Sequence, residues 1–254
     1  MIGSQPLREG RIAVPGGTVW YGWYGAGATV PLVVVHGGPG LSHDYLLPLA
    51  SLATERPVVF YDQLGGGRSA CADDPALWRL ERFVAELRAV CQALAPQGFH
   101  LLGHSWGSIL AVELALQQPP ALRSLILASP VLSVPRYVSD LRAMGATSHS
   151  GAPPAESAPP GWAVYRALWG ASEAAPTGEL ATYDRTAALA RIAVPTLLTC
   201  GEHDPATPAA TAVYAAHLPR AAVRVFAGCG HLPHLEAPAP YLSVVRAFLR
   251  RVEG

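Results

Sequence analysis

Length, composition and charge limit what this chain can be. It has 254 residues, half of them hydrophobic, which suits one α/β domain with a large buried sheet. Its 18 basic and 18 acidic residues cancel, so the charge does not favour nucleic acid or an anionic membrane as partner. All the basic residues are arginines, which excludes a mechanism that needs a lysine base or a Schiff base.

The N-terminal segment and the cysteines bear on location and on metals. The segment MIGSQPLREG lacks the apolar stretch of a secretory signal, and no segment approaches the roughly 20 apolar residues of a membrane span. Cys71, Cys91, Cys200 and Cys229 have no CxxC spacing, which argues against a zinc site and favours a role as small apolar side chains. We therefore expect a soluble, cytoplasmic protein with reduced thiols, no bound metal and no cofactor.

Apolar runs and helical spacing predict alternating strands and helices along the chain. Residues 11–24 alternate around Pro15-Gly16-Gly17, which predicts a β-hairpin. Short apolar runs then predict buried strands at 31–36, 57–62, 99–104, 122–129, 195–201 and 222–228. Helices are predicted at 43–54 (with Pro48 in the first turn or at a kink), 77–94, 106–118, 208–218 and 236–252. This order predicts an α/β fold with a mostly parallel central sheet, helices on both faces, and a ligand site beyond the carboxyl ends of the strands.

The alternation is interrupted between residues 131 and 186. We predict a core at 1–130 and 187–254 and a short cap or lid insertion at 131–186, with a linker without function as the alternative. Residues 145–161 are rich in proline and glycine, so they cannot form a regular helix. The apolar residues of the insertion could line a pocket or a dimer contact, and a pocket is favoured because a cap helix must bury an apolar face; they are Trp162, Tyr165, Leu168 and Trp169.

A serine motif lies between a predicted strand and a predicted helix. Gly103-His104-Ser105-Trp106-Gly107 matches G-x-S-x-G, which in this context is typical of the nucleophile turn of α/β-hydrolases. The tight turn needs small flanking residues, and it places the Ser105 hydroxyl at the positive end of the following helix. Ser105 is therefore the candidate nucleophile.

A serine hydroxyl needs a base, which in this fold follows an acid along the chain. Asp204 follows the predicted strand at 195–201 and is the candidate acid, with Glu202 as a competing turn residue. His231 follows the strand at 222–228 and is the candidate base, with His234 as a competitor that better suits a wall of the site.

Two glycine-rich loops follow the first two buried strands. His36-Gly37-Gly38-Pro39-Gly40 can turn backbone N–H groups toward a substrate carbonyl and, with the amide of Trp106, form an oxyanion hole. The segment 62–69 (DQLGGGRS) lacks the G-K-[ST] of a nucleotide loop, so we interpret it as a loop that braces the site through Asp62 or Arg68. Glu113, in the predicted helix behind the nucleophile, is expected to be hydrogen-bonded or at an edge, without a catalytic role.

The chain resembles the proline iminopeptidase family of α/β-hydrolases, and is most similar to its tricorn-interacting-factor branch. The resemblance rests on HGGPGLSHDYLLPL (36–49), YDQLGGGRS (61–69), GHSWGS (103–108), YDRT (183–186), PTLLTCGEHD (195–204) and GCGHLPHLEAP (228–238). It implies Ser105, Asp204 and His231 as the catalytic triad and the amides of Gly38 and Trp106 as oxyanion donors.

The same resemblance implies how substrate is bound. Similar proteins hold the free α-ammonium of the substrate with two carboxylates, one before YDRT and one directly after the catalytic aspartate. Glu173, or with a gap Glu179, could supply the first, whereas Pro205 occupies the second position. The substrate contacts expected in this chain are Gly37, Glu173, Trp162 and Trp169.

Three functions are compatible with these residues. The first is an aminopeptidase that releases a small N-terminal residue such as Pro or Ala through an acyl-enzyme. The second is an amidase, esterase or thioesterase that acts on a small molecule without a free α-amine, which Pro205 favours. The third is a non-hydrolytic lyase, isomerase or binder on the same fold. The sequence leaves the oligomeric state open.

Overall fold

The strands form one sheet that is parallel over most of its width. The computed structural model describes residues 5–69, 74–145 and 161–254. Within these residues eight strands are hydrogen-bonded in the order β1-β2-β4-β3-β5-β6-β7-β8. β1 and β2 form an antiparallel hairpin, β2 joins β4 antiparallel, and all pairs from β4 to β8 are parallel. The strands span Arg8–Val14 (β1), Gly17–Tyr24 (β2), Leu32–Val35 (β3), Val58–Tyr61 (β4), Phe99–His104 (β5), Leu122–Ala128 (β6), Thr196–Gly201 (β7) and Ala221–Phe226 (β8).

Helices connect the parallel strands and cover both faces of the sheet. The α-helices span Leu80–Leu94 (α1), Trp106–Leu116 (α2), Val134–Ala143 (α3), Trp162–Leu168 (α4), Pro208–His217 (α5), Pro233–Glu236 (α6) and Pro238–Glu253 (α7). The 3₁₀ helices span Asp44–Thr54, Pro75–Leu77, Glu179–Thr182 and Thr186–Arg191.

Successive side chains of the buried strands pack alternately into two apolar cores, one on each face of the sheet. Val33 and Val35 of β3 pack with α1 and α2 on one face of the sheet. Leu32 and Val34 of the same strand pack on the other face, with the 3₁₀ helix at 44–54 and with α7. Successive residues of a strand point to opposite faces, so a strand that is apolar throughout must be covered twice. These layers confirm the predicted mostly parallel sheet with helices on both faces.

Three of the predicted helices differ from the structure, two of them at prolines. The segment 43–54 is a 3₁₀ helix and not an α-helix; in an α-helix the ring of Pro48 would clash with the carbonyl of Asp44. The predicted helix at 77–94 is interrupted before α1, because Arg79 is extended after the short helix at Pro75–Leu77. The predicted helix at 236–252 is divided at Ala237, which precedes Pro238 and has φ −139° and ψ 62°.

The two ends of the segment between β6 and β7 lie side by side. Ser133 and Asp184 form an isolated antiparallel bridge, and the Ser133 hydroxyl donates to the Asp184 carboxylate at 2.8 Å. Leu168, the last residue of α4, and Trp169, the next residue, belong to the core cluster on the α1 and α2 face and are nearly inaccessible. Most of the proline-rich stretch predicted at 145–161 lies outside the described residues, and the division into core and cap stays a prediction.

Candidate active site

The turn that carries Ser105 is strained, and glycines make it possible. Ser105 has φ 53° and ψ −120°, a conformation that L-residues rarely adopt, between β5 and α2. A Cβ on Gly103 would lie 2.2 Å from the carbonyl oxygen of Gly107, and a Cβ on Gly107 would lie 2.3 Å from that of Val35. The Ser105 amide donates to the Ala128 carbonyl at 2.9 Å, which fixes the turn to the end of β6. Both glycines are therefore needed for β5 and α2 to approach each other this closely.

A buried hydrogen-bond network joins the glycine loop after β3 to this turn. The Gln63 side chain accepts from the Trp106 indole at 2.7 Å and donates to the His36 carbonyl at 2.9 Å. The Gln63 amide donates to His36 Nε2 at 3.0 Å, so the ring proton is on Nδ1, which faces the Gly37 carbonyl at 2.8 Å. Burial lowers the pKa of His36, which keeps the ring neutral and this tautomer fixed. His36 is thus a support of the loop.

The backbone amides of the glycine loop are not equivalent. The Gly37 amide donates to the Tyr45 hydroxyl at 2.6 Å, so it is already used within the protein. Gly38 follows with φ 117°, a conformation that requires glycine. Trp106 is the first residue of α2, where the first amides of a helix have no partner within the helix. The oxyanion roles of Gly38 and Trp106 and the substrate contact of Gly37 stay predictions.

Asp204 and His231 are brought together from the ends of β7 and β8. Asp204 Oδ1 accepts from His231 Nδ1 at 2.7 Å and from the Ala206 amide at 2.7 Å, and Asp204 is only 1% exposed. The His231 carbonyl accepts from His104 Nε2 and from the Ser129 hydroxyl, each at 3.0 Å. The rings of His104 and His231 are 5.0 Å apart, which places the Asp–His pair beside the turn that follows His104.

The competing residues have other partners. Glu202 accepts from the Gly228 amide at 2.9 Å and closes a turn. His234 is 1% exposed and packs against the rings of His104 and Tyr45; burial lowers its pKa to about 4. Glu113 accepts from Arg185 Nε at 2.6 Å. These contacts agree with the structural roles that we predict for all three.

Asp62 holds together the loop after β4. It accepts from the amide and the Nδ1 of His43 and from the Arg68 amide, each at 2.8 Å. Burial acts to raise the pKa of Asp62. The hydrogen bonds from His43 and Arg68, together with the charge of His43, outweigh burial and lower it. The guanidinium of Arg68 lies 4.5 Å from the ring centroid of Trp20. The loop braces neighbouring segments, as its residues predict.

Glu173, the predicted amine anchor, is held by two tyrosines. The hydroxyl of Tyr137 donates to Glu173 Oε2 at 2.8 Å, and that of Tyr165 to Oε1 at 3.3 Å. Glu179, the alternative, accepts from the Leu80 amide at 3.2 Å and is exposed. Of the two candidates, Glu173 is therefore the one that side-chain hydroxyls hold within an aromatic cluster.

The same cluster reaches the acid of the Asp–His pair. Burial and then Glu173 raise the pKa of Tyr137, and Asp204 is close enough to contribute. Trp162 stacks on Tyr165 with ring centroids 4.9 Å apart, and Trp169 lies 6.0 Å from the ring of Tyr137. The indole N–H groups of both tryptophans are buried without a hydrogen-bond partner among the described residues. Whether Glu173, Trp162 and Trp169 contact substrate stays a prediction.

Sequence analysis missed three residues that contact the proposed site. Tyr45 lies inside the segment 36–49 that carries the family resemblance, and His104 is the variable position of the serine motif, so both had a signal that was not used. Ser129 follows β6 with φ 50° and had none. Their bonds join positions far apart in the sequence, which a local pattern does not report.

The described ranges contain neither a metal-binding cluster nor a helix that could span a membrane. No group of three or more His, Cys, Asp or Glu in residues 5–69, 74–145 and 161–254 is arranged to hold a metal ion. No helix in that part of the chain is both long and apolar enough to cross a membrane.

Comparison with known proteins covers almost the whole chain. Residues 32–244 match the model of the alpha/beta hydrolase family. A proline iminopeptidase of Heyndrickxia coagulans is 35% identical, with the alignment covering 96% of this chain and 99% of that protein. The crystal structure of proline iminopeptidase from Mycobacterium smegmatis is similar with a TM-score of 0.84 at 28% identity, covering 96% and 98% of the two chains. The crystal structure of VinJ gives a TM-score of 0.86 at 27% identity, covering 97% and 99%.

The parallel sheet and the strained serine turn at its carboxyl edge are those of an α/β-hydrolase, in agreement with the family match. Within that class the chain belongs to the proline iminopeptidase family, which confirms the resemblance found in its motifs. It is a hydrolase of the proline iminopeptidase type. Its place in the tricorn-interacting-factor branch stays a prediction.

Proposed function

We propose that this chain is a serine aminopeptidase that releases a small N-terminal residue, such as Pro or Ala, from a peptide or amide. The observation that carries the proposal is the 2.7 Å bond from His231 to the buried Asp204, beside the strained turn of Ser105. This pair can hold the imidazole with Nε2 free to accept a proton from a serine hydroxyl. The names of the relatives support a peptide substrate.

The proposed chemistry proceeds in two steps. His231 removes the proton from Ser105, whose oxygen attacks the carbonyl carbon of the substrate, and the amides of Gly38 and Trp106 stabilise the oxyanion. His231 then protonates the leaving amine. In the second step His231 activates water, which hydrolyses the acyl-enzyme, and Asp204 stabilises the imidazolium each time it forms.

Glu173 supplies the proposed specificity for a free amine. Its carboxylate lies in a largely apolar, aromatic cluster, and two tyrosine hydroxyls hold it in place. An ammonium group is costly to bury without an opposite charge, and Glu173 offers that charge. Since Pro205 follows Asp204, a single carboxylate carries this role.

Replacement of the proposed nucleophile tests the hydrolase. We expect Ser105→Ala to lower kcat on any substrate by at least about 10,000-fold, because the acyl-enzyme cannot form. A fluorophosphonate should label the unaltered protein at Ser105 and should not label the variant. Circular dichroism and thermal unfolding should show that the variant is folded. Turnover or labelling that survives in Ser105→Ala contradicts the assignment.

The free-amine requirement has its own test. We expect Pro- and Ala-anilides to be hydrolysed and their N-acetylated forms to be refused, because acetylation removes the positive charge. Glu173→Gln should raise KM for the free-amine substrates by about 10- to 100-fold, which is the usual range for losing a hydrogen bond to a charged group. Glu179→Gln, a carboxylate of the same segment that bonds to Leu80, is the matched control and should leave KM unchanged.

The second candidate is an amidase or esterase that needs no free amine. Pro205 favours it, because the side chain after the acid carries no charge. It predicts equal hydrolysis of blocked and free substrates and no effect of Glu173→Gln on KM. The two proposals share Ser105, so only the amine test separates them.

A cytoplasmic location is also proposed. The thiols of Cys91, Cys200 and Cys229 are free and buried, which is the state that a reducing compartment maintains. Cys71 lies outside the described residues. Activity confined to the cytoplasmic fraction of the source cells would support this location, and activity in the medium would contradict it.

A further inference from the structure

A chain of hydrogen bonds connects the glycine loop to the backbone of His231 by way of Tyr45 and His104. The Gly37 amide donates to the Tyr45 hydroxyl at 2.6 Å, and that hydroxyl lies 2.9 Å from His104 Nδ1. On the other side of the ring, His104 Nε2 lies 3.0 Å from the His231 carbonyl. Three bonds therefore join the loop after β3, the 3₁₀ helix at 44–54, the end of β5 and the loop after β8.

The direction of every bond in this chain is determined. A carbonyl oxygen only accepts, so His104 Nε2 carries a proton and donates to His231. Burial lowers the pKa of His104 well below its usual value, with His231 and His234 acting in the same sense, so the ring is neutral and Nδ1 accepts. The Tyr45 hydroxyl then donates to Nδ1 and accepts from the Gly37 amide. Each polar atom of the chain has a partner of the required kind.

The site is built closely around these contacts. A Cβ on Gly37 would lie 2.9 Å from the Tyr45 hydroxyl and 3.2 Å from His104 Nδ1, so only glycine leaves room for both. The His231 carbonyl has a second donor, the Ser129 hydroxyl, also at 3.0 Å. The two bonds hold the backbone of His231 from the ends of β5 and β6, while Asp204 holds its ring from the end of β7.

We propose that Tyr45 and His104 form a positioning relay, which fixes the oxyanion loop and the backbone of His231 relative to each other. These bonds of the two side chains go to the Gly37 amide, to each other and to the His231 backbone, so both residues act by positioning. The relay uses the Gly37 amide, so the loop presents the next amide, that of Gly38, to the oxyanion. This inference rests on the proposed catalytic roles of Ser105 and His231.

The test measures how fast a fluorophosphonate labels Ser105, because this reaction needs the base and the oxyanion hole and does not depend on recognition of a substrate amine. We expect labelling to slow by about tenfold in Tyr45→Phe, since small displacements of catalytic groups cost one to two orders of magnitude. The matched control is Tyr214→Phe, which removes another buried hydroxyl that accepts from a backbone amide, that of Ser133 at 3.2 Å. It should label at the rate of the unaltered protein.

A double-mutant cycle tests whether the two residues act together. If they form one relay, Tyr45→Phe combined with His104→Leu should label no more slowly than His104→Leu alone. If the two effects multiply, the residues act separately and the relay is wrong. His104→Gln should recover part of the rate, because its amide can still donate to the His231 carbonyl. A residue that only filled space would show the reverse order, with Leu better than Gln.

The predicted tautomer gives a readout that does not depend on activity or on a variant that folds. Nitrogen-15 NMR of the unaltered protein should show His104 neutral, with the proton on Nε2, between about pH 6 and pH 8. A proton on Nδ1, titration in this range, or labelling of folded Tyr45→Phe at the normal rate would overturn the relay and leave the proposed hydrolase intact. Failure to label Ser105 in the unaltered protein would instead overturn the proposed hydrolase.

Discussion

Gly103 and Gly107 allow β5 and α2 to approach closely enough to hold Ser105 at φ 53°. We expect Gly103→Ala to lower the free energy of unfolding by about 1–3 kcal/mol, because its Cβ would overlap the backbone of Gly107, which cannot move without moving α2. The rate at which Ser105 is labelled should also fall, because the substitution would shift the serine turn itself. Urea unfolding and labelling of Ser105 measure the two effects.

Gly98→Ala is the control for this substitution. Its Cβ would meet the end of the flexible Arg123 side chain at 2.9 Å, which can rotate away at little cost. If Gly98→Ala and Gly103→Ala were equally stable and active, backbone crowding would not be the reason that the serine turn needs glycine at position 103.

At the scale of single residues, the sequence predicts the proposed reacting groups and only some of their supports. Ser105, Asp204 and His231 each follow a predicted strand, within short motifs that local chemistry makes specific. Tyr45 and His104 lie within the motifs, but a local pattern does not report their bonds to segments that are distant in the sequence. The Asp204–His231 bond appears only once the sheet brings β7 and β8 side by side.

The element α1 carries a buried carboxylate that supports the loop after β4. Glu86 is fully buried, pairs with Arg82 and accepts from the Leu64 amide at 3.2 Å, next to Gln63 of the site network. Burial raises the pKa of Glu86 from 4.5 to about 7, although Arg82 and the Leu64 amide act in the opposite direction. The folded protein therefore binds this proton more tightly than the unfolded chain does.

A pH-dependent stability follows from this shift. The contribution of Glu86 is complete below its ordinary pKa of 4.5 and is lost as the pH rises through about 7. Glu86→Gln cannot ionise, so relative to the unaltered protein it should gain up to about 3 kcal/mol of unfolding free energy across that interval. Urea unfolding at several pH values measures this difference. Glu81→Gln, at an exposed position of α1, should show no such trend, and a constant difference for Glu86→Gln would contradict the argument.

Element boundaries are predicted best where no proline intervenes. The observed bounds of the strands from β3 to β7 agree with the predicted apolar runs to within a residue or two. A strand that is buried on both faces is apolar throughout, so the ends of the apolar run mark the ends of the strand. The helices near Pro48, Pro75 and Pro238 are broken or of 3₁₀ type. A local pattern marks the proline but does not say whether the helix will kink, change type or restart.

At the scale of the whole molecule, the end of α7 is fastened to the centre of the sheet. Arg56 is 4% exposed and makes two bonds to Glu253, at 2.5 and 2.9 Å, and Glu253 also lies 3.1 Å from His100 Nε2 in β5. Arg56 is the main reason that the pKa of Glu253 is lowered. The stability that this group provides is present above its ordinary pKa and is lost as the pH falls through the lowered value.

Loss of this carboxylate leaves a buried cation without its partner. We expect Glu253→Gln to lower the free energy of unfolding by about 1–3 kcal/mol at neutral pH, less than for a fully buried pair because the Glu253 side chain is 31% exposed. Since His100 lies near the amino end of β5, away from the site, kcat should not change. Glu81→Gln breaks the exposed pair with Arg79 and should cost less than about 1 kcal/mol.

The sheet order could not be read from the sequence, although its class could. Buried apolar runs that alternate with helices predict parallel strands, but they do not say that β4 lies between β2 and β3 or that β8 is an edge. The exposed Val223 and Val225 of β8 belong to that edge, whereas the pattern alone suggested a strand buried like the others.

The proposed reacting groups are spread over much of the chain. Ser105 follows β5, whereas His231, the proposed base, follows β8. The pairing of β8 with β7 brings His231 to Asp204. We expect a fragment that stops before β8 to carry the serine without its base and to be inert toward peptides.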